Sequence, residues 1–222
     1  EAVPSVKAVD VGFDRGLVGA YGHDDRVCAY TALMAELDKN APEYTSLCVL
    51  TDKEETGSDG NTGLNSEYMF HFIEYLAEAA GVNYKTVLRA SKCLSADVNA
   101  AFDPTFPTAY EKNNAAFLNR GCVITKYTGA RGKGDTSDAS AEMMGYVADL
   151  LDDANVVWQT GELGAVDNGG GGTVAKYIAN RNVDVVDIGV PLLSMHAPFE
   201  LAAKLDIYMT YRAFYTFLSD KN

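Results

Sequence analysis

Short apolar runs alternate with amphipathic stretches along most of the chain. Runs rich in β-branched residues predict five strands, over residues 46–51, 92–95, 122–127, 155–160 and 183–188. Apolar residues recur at spacings of three and four over residues 27–37, 66–80, 139–151, 172–179 and 199–218, which predicts helices. This alternation predicts an α/β fold, in which a mostly parallel mixed sheet is flanked by helices on both faces.

The composition is that of a folded domain. Of the 222 residues, 47% are apolar and 22% are charged, which is enough to bury a substantial core. Neither an internal repeat nor a low-complexity linker interrupts the pattern, although residues 129–138 and 168–173 have the composition of loops. We therefore expect residues 1–222 to form a single domain.

Charge narrows the choice of partners and compartment. The 18 basic and 31 acidic residues give a formal net charge of -13, which repels phosphate backbones and anionic lipids, so neither nucleic acid nor a membrane is an expected partner. The opening residues resemble no export signal. The four cysteines lie far apart in apolar surroundings without a CxxC pair, which predicts buried free thiols and a cytoplasmic location.

Candidate chemistry lies where the predicted strands end. In open α/β sheets ligands bind beyond the carboxyl ends of the strands. Glu54 and Glu55 follow the first predicted strand, Asp97 follows the second, and His196 follows the last. Asp24 lies in a loop that leads into the first predicted helix. Carboxylates and imidazole are the ligand types that a pair of zinc ions requires.

Each of these motifs alone also has a purely structural interpretation. Acidic clusters are usually solvated loops, and Asp24 with Asp25 is equally suited to capping the helix that follows. His196 could be a core histidine with a satisfied ring, and Asp97 could begin a turn. The run Gly169 to Gly172 could cradle a phosphate, although it lacks the Lys and Ser/Thr of a P-loop. It could equally allow a close approach of the backbone to a substrate or metal.

The order and the residue sequences of five motifs favour the functional interpretation. They are GAYGHDDRVCAYTAL, TDKEETGSDGNTG, SADVNAAFDP, GELGAVDNGGGGTVA and DIGVPLLSMHAPFE, spread from Gly19 to Glu200. With them the chain resembles the zinc aminopeptidase family that includes aspartyl aminopeptidase and vacuolar aminopeptidase I. The resemblance implies a zinc-peptidase fold, two zinc ions, and removal of N-terminal residues from peptide substrates by attack of a metal-activated water.

The resemblance also implies a role for each candidate residue. It makes Asp24 the carboxylate that bridges two zinc ions, joined to Asp25 by a cis-like peptide. Glu55 and His196 would complete one zinc site, and Asp97 would bind the second zinc. Glu54, close to the metals but not bonded to them, would be the general base.

One part of the family pattern does not appear in this sequence. Family members resemble each other in a further metal-binding histidine and a dimerisation domain, both before the motif that contains Asp24. The chain has only His23, His71 and His196, and none of them stands in that context. We therefore expect a catalytic domain incomplete at its N-terminal end, with at most one complete zinc site and a companion segment as partner. The alternative is a catalytically impaired fragment or assembly subunit. The large assemblies of the family further predict a homo-oligomer.

The substrate pocket of the family is usually lined by the segment that matches residues 121–138. Lys126, Arg131 and Lys133 lie in this segment, and any of them could pair with a substrate carboxylate, although solvated loop charges are an equally good interpretation. We predict an acidic or broad neutral preference. The substrate-binding candidates are Lys126, Arg131, Gly172, Thr173 and Met195.

Overall fold

The computed structural model describes residues 2–40, 42–165 and 167–221. The helices are α1 (His23–Asp38), α2 (Tyr68–Ala79), α3 (Tyr84–Ala90), α4 (Ala141–Asp153), α5 (Ala175–Ala179) and α6 (Lys204–Leu218). The strands are β1 (Val9–Val11), β2 (Leu17–Ala20), β3 (Lys92–Ala96), β4 (Asn99–Ala100), β5 (Cys122–Thr125), β6 (Tyr127–Ala130), β7 (Gly134–Asp138), β8 (Trp158–Thr160), β9 (Asp184–Gly189), β10 (Pro191–Leu193) and β11 (Glu200–Ala203).

Four of these strands form the predicted mixed sheet, in the order β3-β9-β5-β8. β3 runs parallel to β9 and β5 runs parallel to β8, whereas β5 and β9 are antiparallel. Burial shows why β9 lies in the interior, since its last five residues are all buried and only its first is exposed. A strand covered on both faces is buried along its length, and here only Asp187 interrupts the apolar residues of the buried part. The predicted fold class is therefore confirmed for this sheet.

Helices cover both faces of the four-stranded sheet. Val186 and Ile188 of β9 face the largest core cluster, to which α4 contributes Val147 and α6 contributes Phe214. Val185 points the opposite way and packs in a second cluster with residues of α2, α3 and α5. Side chains alternate between the two faces of the sheet along β9, so residue 187 lies on the same side as α5. It also lies towards the end of the strand, where the candidate residues are found.

A second sheet, in the order β1-β2-β11-β10-β4, was not predicted from the sequence. Its pairs are antiparallel except for β10 and β4. Its strands have only two to four residues, too few for a clear apolar alternation. The sheet nevertheless organises the site, because β2 leads to Asp24 and the β10–β11 connection carries His196.

Three expectations about local structure are wrong. Residues 46–51 are extended but belong to no strand, because no neighbouring strand forms a ladder with them within the described chain. The expected loop at 129–138 is mostly a hairpin, formed by β6 and β7. The final predicted helix begins at Lys204, because residues Glu200–Ala203 pair with β2 as β11.

The glycine-rich stretch packs closely against the β6–β7 hairpin. Gly170 has a φ of +87°, and a Cβ there would lie 2.2 Å from the carbonyl oxygen of Gly129. A Cβ on Gly172 would lie 2.8 Å from the backbone oxygen of Asp135. Only glycine permits this approach, so the run is explained by backbone packing at the edge of the cavity.

α6 is anchored to the segment before β5 through a buried carboxylate. Asp206 is completely buried and accepts hydrogen bonds from the backbone N–H groups of Asn119 and Gly121, both at 2.6 Å. Burial raises the pKa of Asp206 to about 6, while these N–H groups oppose the rise. The contact joins positions more than 80 residues apart along the chain.

Two further sequence expectations concern the environment of the protein. All four cysteines are free thiols, with Cys28 and Cys122 buried and Cys48 and Cys93 partly accessible. Within the described ranges, no helix has the length and apolar character needed to span a bilayer.

Candidate functional site

A cavity of about 290 Å³ opens beside β3, β5 and β9. Its walls combine carboxylates, one imidazole, small polar side chains and the glycine-rich stretch, contributed by loops that are distant in sequence. The lining residues that carry the chemistry are Asp24, Glu54, Glu55, Asp97, Asp187 and His196. The candidate catalytic and metal-binding residues predicted from the sequence therefore all line one cavity. Within the described chain, only Asp97 follows a strand of the four-stranded sheet, since Glu54 and Glu55 follow no strand and His196 follows β10 of the second sheet.

One group of potential metal ligands consists of Asp24, Glu55 and His196. Their ligand atoms all lie within 4.8 Å of one another. The Nε2 atom of His196 is 2.8 Å from Oδ2 of Asp24 and 3.2 Å from Oε1 of Glu55. Two carboxylates and an imidazole converging in this way form the kind of oxygen and nitrogen donor set that zinc favours.

A second group shares Asp24 with the first. The carboxylates of Asp24, Asp25 and Asp97 also lie within 4.8 Å of one another. Asp24 and Asp25 are joined by a cis peptide bond, and neither has helical torsion angles although both lie within the bounds of α1. Asp24 thus occupies the position between two groups that the predicted bridging role requires. Asp25 was not predicted as a ligand.

Glu54 lies beside these groups without belonging to either. It begins a 3-10 turn, Glu54–Thr56, whose preceding residue Lys53 has a φ of 66°. The hydroxyl of Tyr177 on α5 donates a hydrogen bond to the carbonyl oxygen of Gly57 and so fixes the end of this turn. Both glutamates line the cavity, but Glu55 lies at the imidazole of His196, whereas Glu54 belongs to neither ligand group.

Glu200 is a positioning residue that sequence reasoning missed. Its side chain is 1% exposed, and its two carboxylate oxygens accept hydrogen bonds from the backbone N–H groups of Asp24, at 3.1 Å, and His196, at 2.8 Å. Glu200 is the first residue of β11 and lies opposite Ala20 of β2, which explains how it reaches both loops. Its position in the sequence could have indicated this role, because Glu200 is an acidic residue at the start of an apolar segment just after His196.

Burial and mutual repulsion raise the pKa values of the clustered carboxyls. Burial is the larger cause for Asp24, whose pKa rises to about 6 with a further contribution from Glu55. The pKa of Asp25 rises to about 8 through burial and the charge of Asp24. Burial also raises the pKa values of Glu54, with a contribution from Glu55, and of Asp97, with a contribution from Asp25. A bound cation would offset these costs, so this donor set fits a metal ion.

The substrate-binding candidates divide into two sets. Gly172, Thr173 and Met195 line the cavity as predicted. Lys126 instead forms an exposed ion pair with Asp138, and Arg131 is exposed outside the cavity wall. The structure therefore brings the uncharged candidates to the site and leaves the two cationic ones outside it.

The two other histidines lie away from the clusters. His23 is half-buried, with Nε2 3.3 Å from the carbonyl oxygen of Val18, although it is adjacent to Asp24. His71 is exposed on α2. Within the described chain, the second group therefore contains carboxylates without an imidazole.

Comparison with known proteins agrees with these observations. The family model described as "Aminopeptidase I zinc metalloprotease (M18)" matches residues 1–218. The curated "Probable M18 family aminopeptidase 1" of Clostridium acetobutylicum is 44% identical over 224 residues, covering 99% of this chain and 48% of that protein. The chain thus spans about half the length of the curated relatives it matches.

Solved structures give the same result. The crystal structure of an M18 aminopeptidase from Thermotoga maritima superposes with a TM-score of 0.95 at 43% identity, covering 99% of this chain and 50% of the other. The S. cerevisiae mApe1 dodecamer superposes with a TM-score of 0.77 at 25% identity, covering 96% of this chain and 48% of the other. Both solved structures therefore share the fold of this chain over nearly its whole length.

The raised pKa values predict how stability depends on pH. Because folding raises them above 3.8, the two carboxyls of Asp24 and Asp25 stabilise the fold fully below that pH, and this contribution is lost as the pH rises through about 6 and about 8. We expect the metal-free Tm to fall by several degrees from pH 4.5 to 8 relative to Asp25→Asn, and zinc to reverse the fall. Calorimetry with and without zinc tests this, and identical pH slopes for both proteins would contradict it.

Loss of the Glu200 tether predicts weaker metal binding. In Glu200→Gln one carboxylate oxygen becomes an amide NH₂ that cannot accept a hydrogen bond, so Asp24 or His196 loses its anchor. We expect zinc affinity to fall about 10- to 100-fold, as for other residues that orient ligands. Competition with a chromogenic chelator measures it. Glu78→Gln, at an exposed position of α2, is the matched control, and equal affinities of the two variants would rule out the tether.

Proposed function

Because the chain belongs to the M18 family of zinc aminopeptidases, we propose that it forms the catalytic part of an enzyme that removes N-terminal residues from peptides. The observation that carries this proposal is the position of Glu54, in the wall of the cavity beside two ligand groups but outside both. A scaffold that only binds metal has no use for such a carboxylate, whereas hydrolysis requires a base there.

The proposed ligands follow from the two groups. Asp24, Glu55 and His196 would hold one zinc ion, and Asp24 with Asp97 would contribute to a second, with Asp25 close by. Bound zinc would polarise the scissile carbonyl and lower the pKa of a bound water to about 7. The fold supplies the remainder of the site, since Glu200 orients two of the ligands and the 3-10 turn holds Glu55 and Glu54 side by side.

Glu54 is the proposed general base. Burial and the neighbouring charge of Glu55 raise its pKa above the ordinary value, which brings it closer to neutral pH. In the proposed reaction, a Glu54 carboxylate oxygen accepts a proton from the attacking water. The same oxygen then delivers the proton to the leaving amine of the peptide, and the base is regenerated.

The cavity lining favours one of the two predicted substrate preferences. An acidic preference requires a cation at the pocket, but Lys126 pairs with Asp138 and Arg131 lies outside the lining. We therefore propose the broad preference, without a dedicated position for an acidic side chain. Comparison of aspartyl and leucyl reporter substrates tests this, since faster cleavage of the aspartyl substrate would contradict it.

Exposed apolar surface supports a companion segment as partner. Tyr30, Leu33 and Leu37 recur at helical spacing on α1 and are 60%, 37% and 67% exposed. Leu47 and Val49 alternate with the less exposed Ser46 and Cys48 in the extended stretch that follows, as in a strand with one face uncovered. A Ser46–Glu36 hydrogen bond at 3.0 Å holds this stretch to α1.

We propose that the remainder of an M18 subunit covers this surface and pairs with residues 46–51. Covering it would bury the apolar side chains and satisfy the backbone of a stretch that has strand-like alternation but no ladder. The mApe1 relative is a dodecamer, so we also propose that the complete protein is a homo-oligomer. The free thiols support a cytoplasmic location.

The alternative, a catalytically impaired fragment or assembly subunit, rests on the second ligand group. That group has three carboxylates but, among the described residues, no histidine. Three clustered carboxylates without a neutral donor repel one another strongly, so tight binding of a second ion would depend on a ligand from the companion segment.

Metal content separates the enzyme from its impaired alternative. We expect the chain alone to retain one tightly bound zinc after dialysis, and two when coexpressed with the remainder of an M18 subunit. Elemental analysis provides the count, and an aminopeptidase assay on the same samples with added zinc shows which state turns over. Two tightly held ions in the chain alone would contradict the companion ligand. Two ions without turnover would favour the assembly subunit.

The division of tasks between Glu54 and Glu55 predicts different losses. Glu54→Gln keeps the ligands but removes the base, so we expect unchanged zinc content and a kcat about 100- to 10,000-fold lower. Glu55→Gln is the matched comparison and should lower zinc affinity first, because its carboxylate lies at His196. Both are measured on the zinc-loaded protein with its companion segment. A Glu54→Gln enzyme with near-normal kcat would remove Glu54 from this role.

A further inference from the structure

A row of polar side chains crosses the interior of the four-stranded sheet beside the metal-ligand groups. Asp187 of β9 lies in register with Ser95 of β3 on one side and with Thr125 of β5 on the other. All three are at most 6% exposed. Because register-paired residues point to the same face, the row forms one polar strip in a layer that is otherwise apolar.

Within the described chain, Asp187 of this strip and two neighbouring residues, Asn99 and Thr128, each have an unpaired polar atom. Oδ1 of Asp187, Oδ1 of Asn99 and Oγ1 of Thr128 are buried without a hydrogen-bond partner among the described residues. The amide nitrogen of Asn99 is already used, since it donates to Oγ1 of Thr125 at 2.9 Å. Burying a polar group without a hydrogen bond costs free energy, so unpaired polar atoms at the wall of a cavity indicate a position at which a ligand binds.

The chemistry of the unpaired atoms defines the ligand class. Asp187 and Asn99 offer acceptor oxygens, and the hydroxyl of Thr128 can also accept. Among the described residues, no lysine or arginine lines the cavity to neutralise Asp187. The apolar side chains of Val98, Leu163 and Met195 complete the wall, and they suit a hydrocarbon stem that ends in a nitrogen donor.

We propose that Asp187, Asn99 and Thr128 form a subsite that binds a protonated nitrogen of the substrate. The inference rests on the proposed function, because it places the N-terminal residue of a peptide in this cavity. Two groups could supply the nitrogen, the α-ammonium of the peptide or the side chain of a basic N-terminal residue. Where the side chain is the occupant, the subsite disfavours an acidic side chain, which would face the carboxylate of Asp187.

The competing explanation is that Asp187 only holds the glycine-rich stretch in place through Thr173. Both residues line the cavity. Burial raises the pKa of Asp187 to about 6, and the hydroxyls of Ser95 and Thr173 oppose the rise. A residue with that role alone would affect stability and the binding of all probes to similar small extents. A ligand-binding role instead depends on the charge of the probe.

The test measures equilibrium binding to the zinc-loaded protein, with its companion segment, by titration calorimetry. All proteins in the titration carry Glu54→Gln, so that the amide probes are not hydrolysed, and turnover is measured separately with Glu54 intact. The probes are L-lysinamide, L-norleucinamide and the α-amide of L-glutamic acid, which differ mainly at the end of the side chain. The proteins are otherwise the wild type, Asp187→Asn, and the control Asp149→Asn at an exposed position of α4. Circular dichroism and Tm values establish that each variant is folded.

We expect Asp187→Asn to weaken lysinamide binding at least 10-fold, the loss typical of a charge-assisted hydrogen bond, and Asp149→Asn to change it less than twofold. An equal loss for norleucinamide identifies the α-ammonium as the occupant, and a loss confined to lysinamide identifies the side chain. The glutamic α-amide should bind the wild type most weakly. Equal binding of all probes by the wild type and Asp187→Asn would overturn the proposal, as would no binding by the wild type.

A second variant covers the case in which Asp187→Asn does not fold. Thr128→Val preserves volume and removes one hydroxyl, so lysinamide binding should fall about 2- to 10-fold. An unchanged affinity would overturn the subsite. Because the readout is binding, a protein that binds amines but does not turn over contradicts the proposed function without contradicting the subsite. A protein that turns over peptide substrates but binds all probes equally supports the proposed function and contradicts the subsite.

Discussion

The structure depends on keeping several carboxylates close together in a partly buried volume. Asp24 belongs to both ligand groups, so each group influences the other through one side chain. Repulsion would drive these groups apart unless the backbone held them and a cation offset their charge. The short antiparallel sheet, the β10–β11 connection and the 3-10 turn all serve this end, because each fixes one contributor from a different part of the chain.

Glu200 illustrates how this arrangement is maintained. Its buried carboxylate accepts hydrogen bonds from the backbone of His196, four residues earlier, and from that of Asp24, 176 residues earlier in the chain. Hydrogen bonds to a carboxylate are in general stronger than those to a neutral acceptor. The geometry of the first ligand group is therefore set by backbone positions, and the ligand side chains need less freedom of their own.

The sequence predicted the main elements and the candidate site because both depend on buried strands. Residues 183–188 are apolar except at Asp184 and Asp187, which predicts a strand. The rule that ligands bind beyond strand ends then assigned Asp97 and His196 to one place. Residues 46–51 show the limit of that reasoning. Their alternation is that of a strand, but a strand also needs a partner, and pairing is a property of the whole fold.

The rest of the site could not be predicted for related reasons. Glu200 acts through a strand pairing between β2 and β11 that local pattern does not reveal. Asp187 stands inside an apolar run, where it is indistinguishable from a residue at the solvent face of a strand. The direction of a long side chain is equally hidden, so Lys126 could not be assigned to the pocket or to its partner Asp138.

The Asp206 anchor has a consequence for how the molecule assembles. The loop before β5 obtains its hydrogen bonds from a helix that begins more than 80 residues later, so it cannot become fully ordered until that helix has been made and has docked. Contacts between such distant positions form slowly because a long loop must first close. The Asp206 contact therefore adds to the long-range contacts around β5, and a high share of such contacts is associated with slow folding.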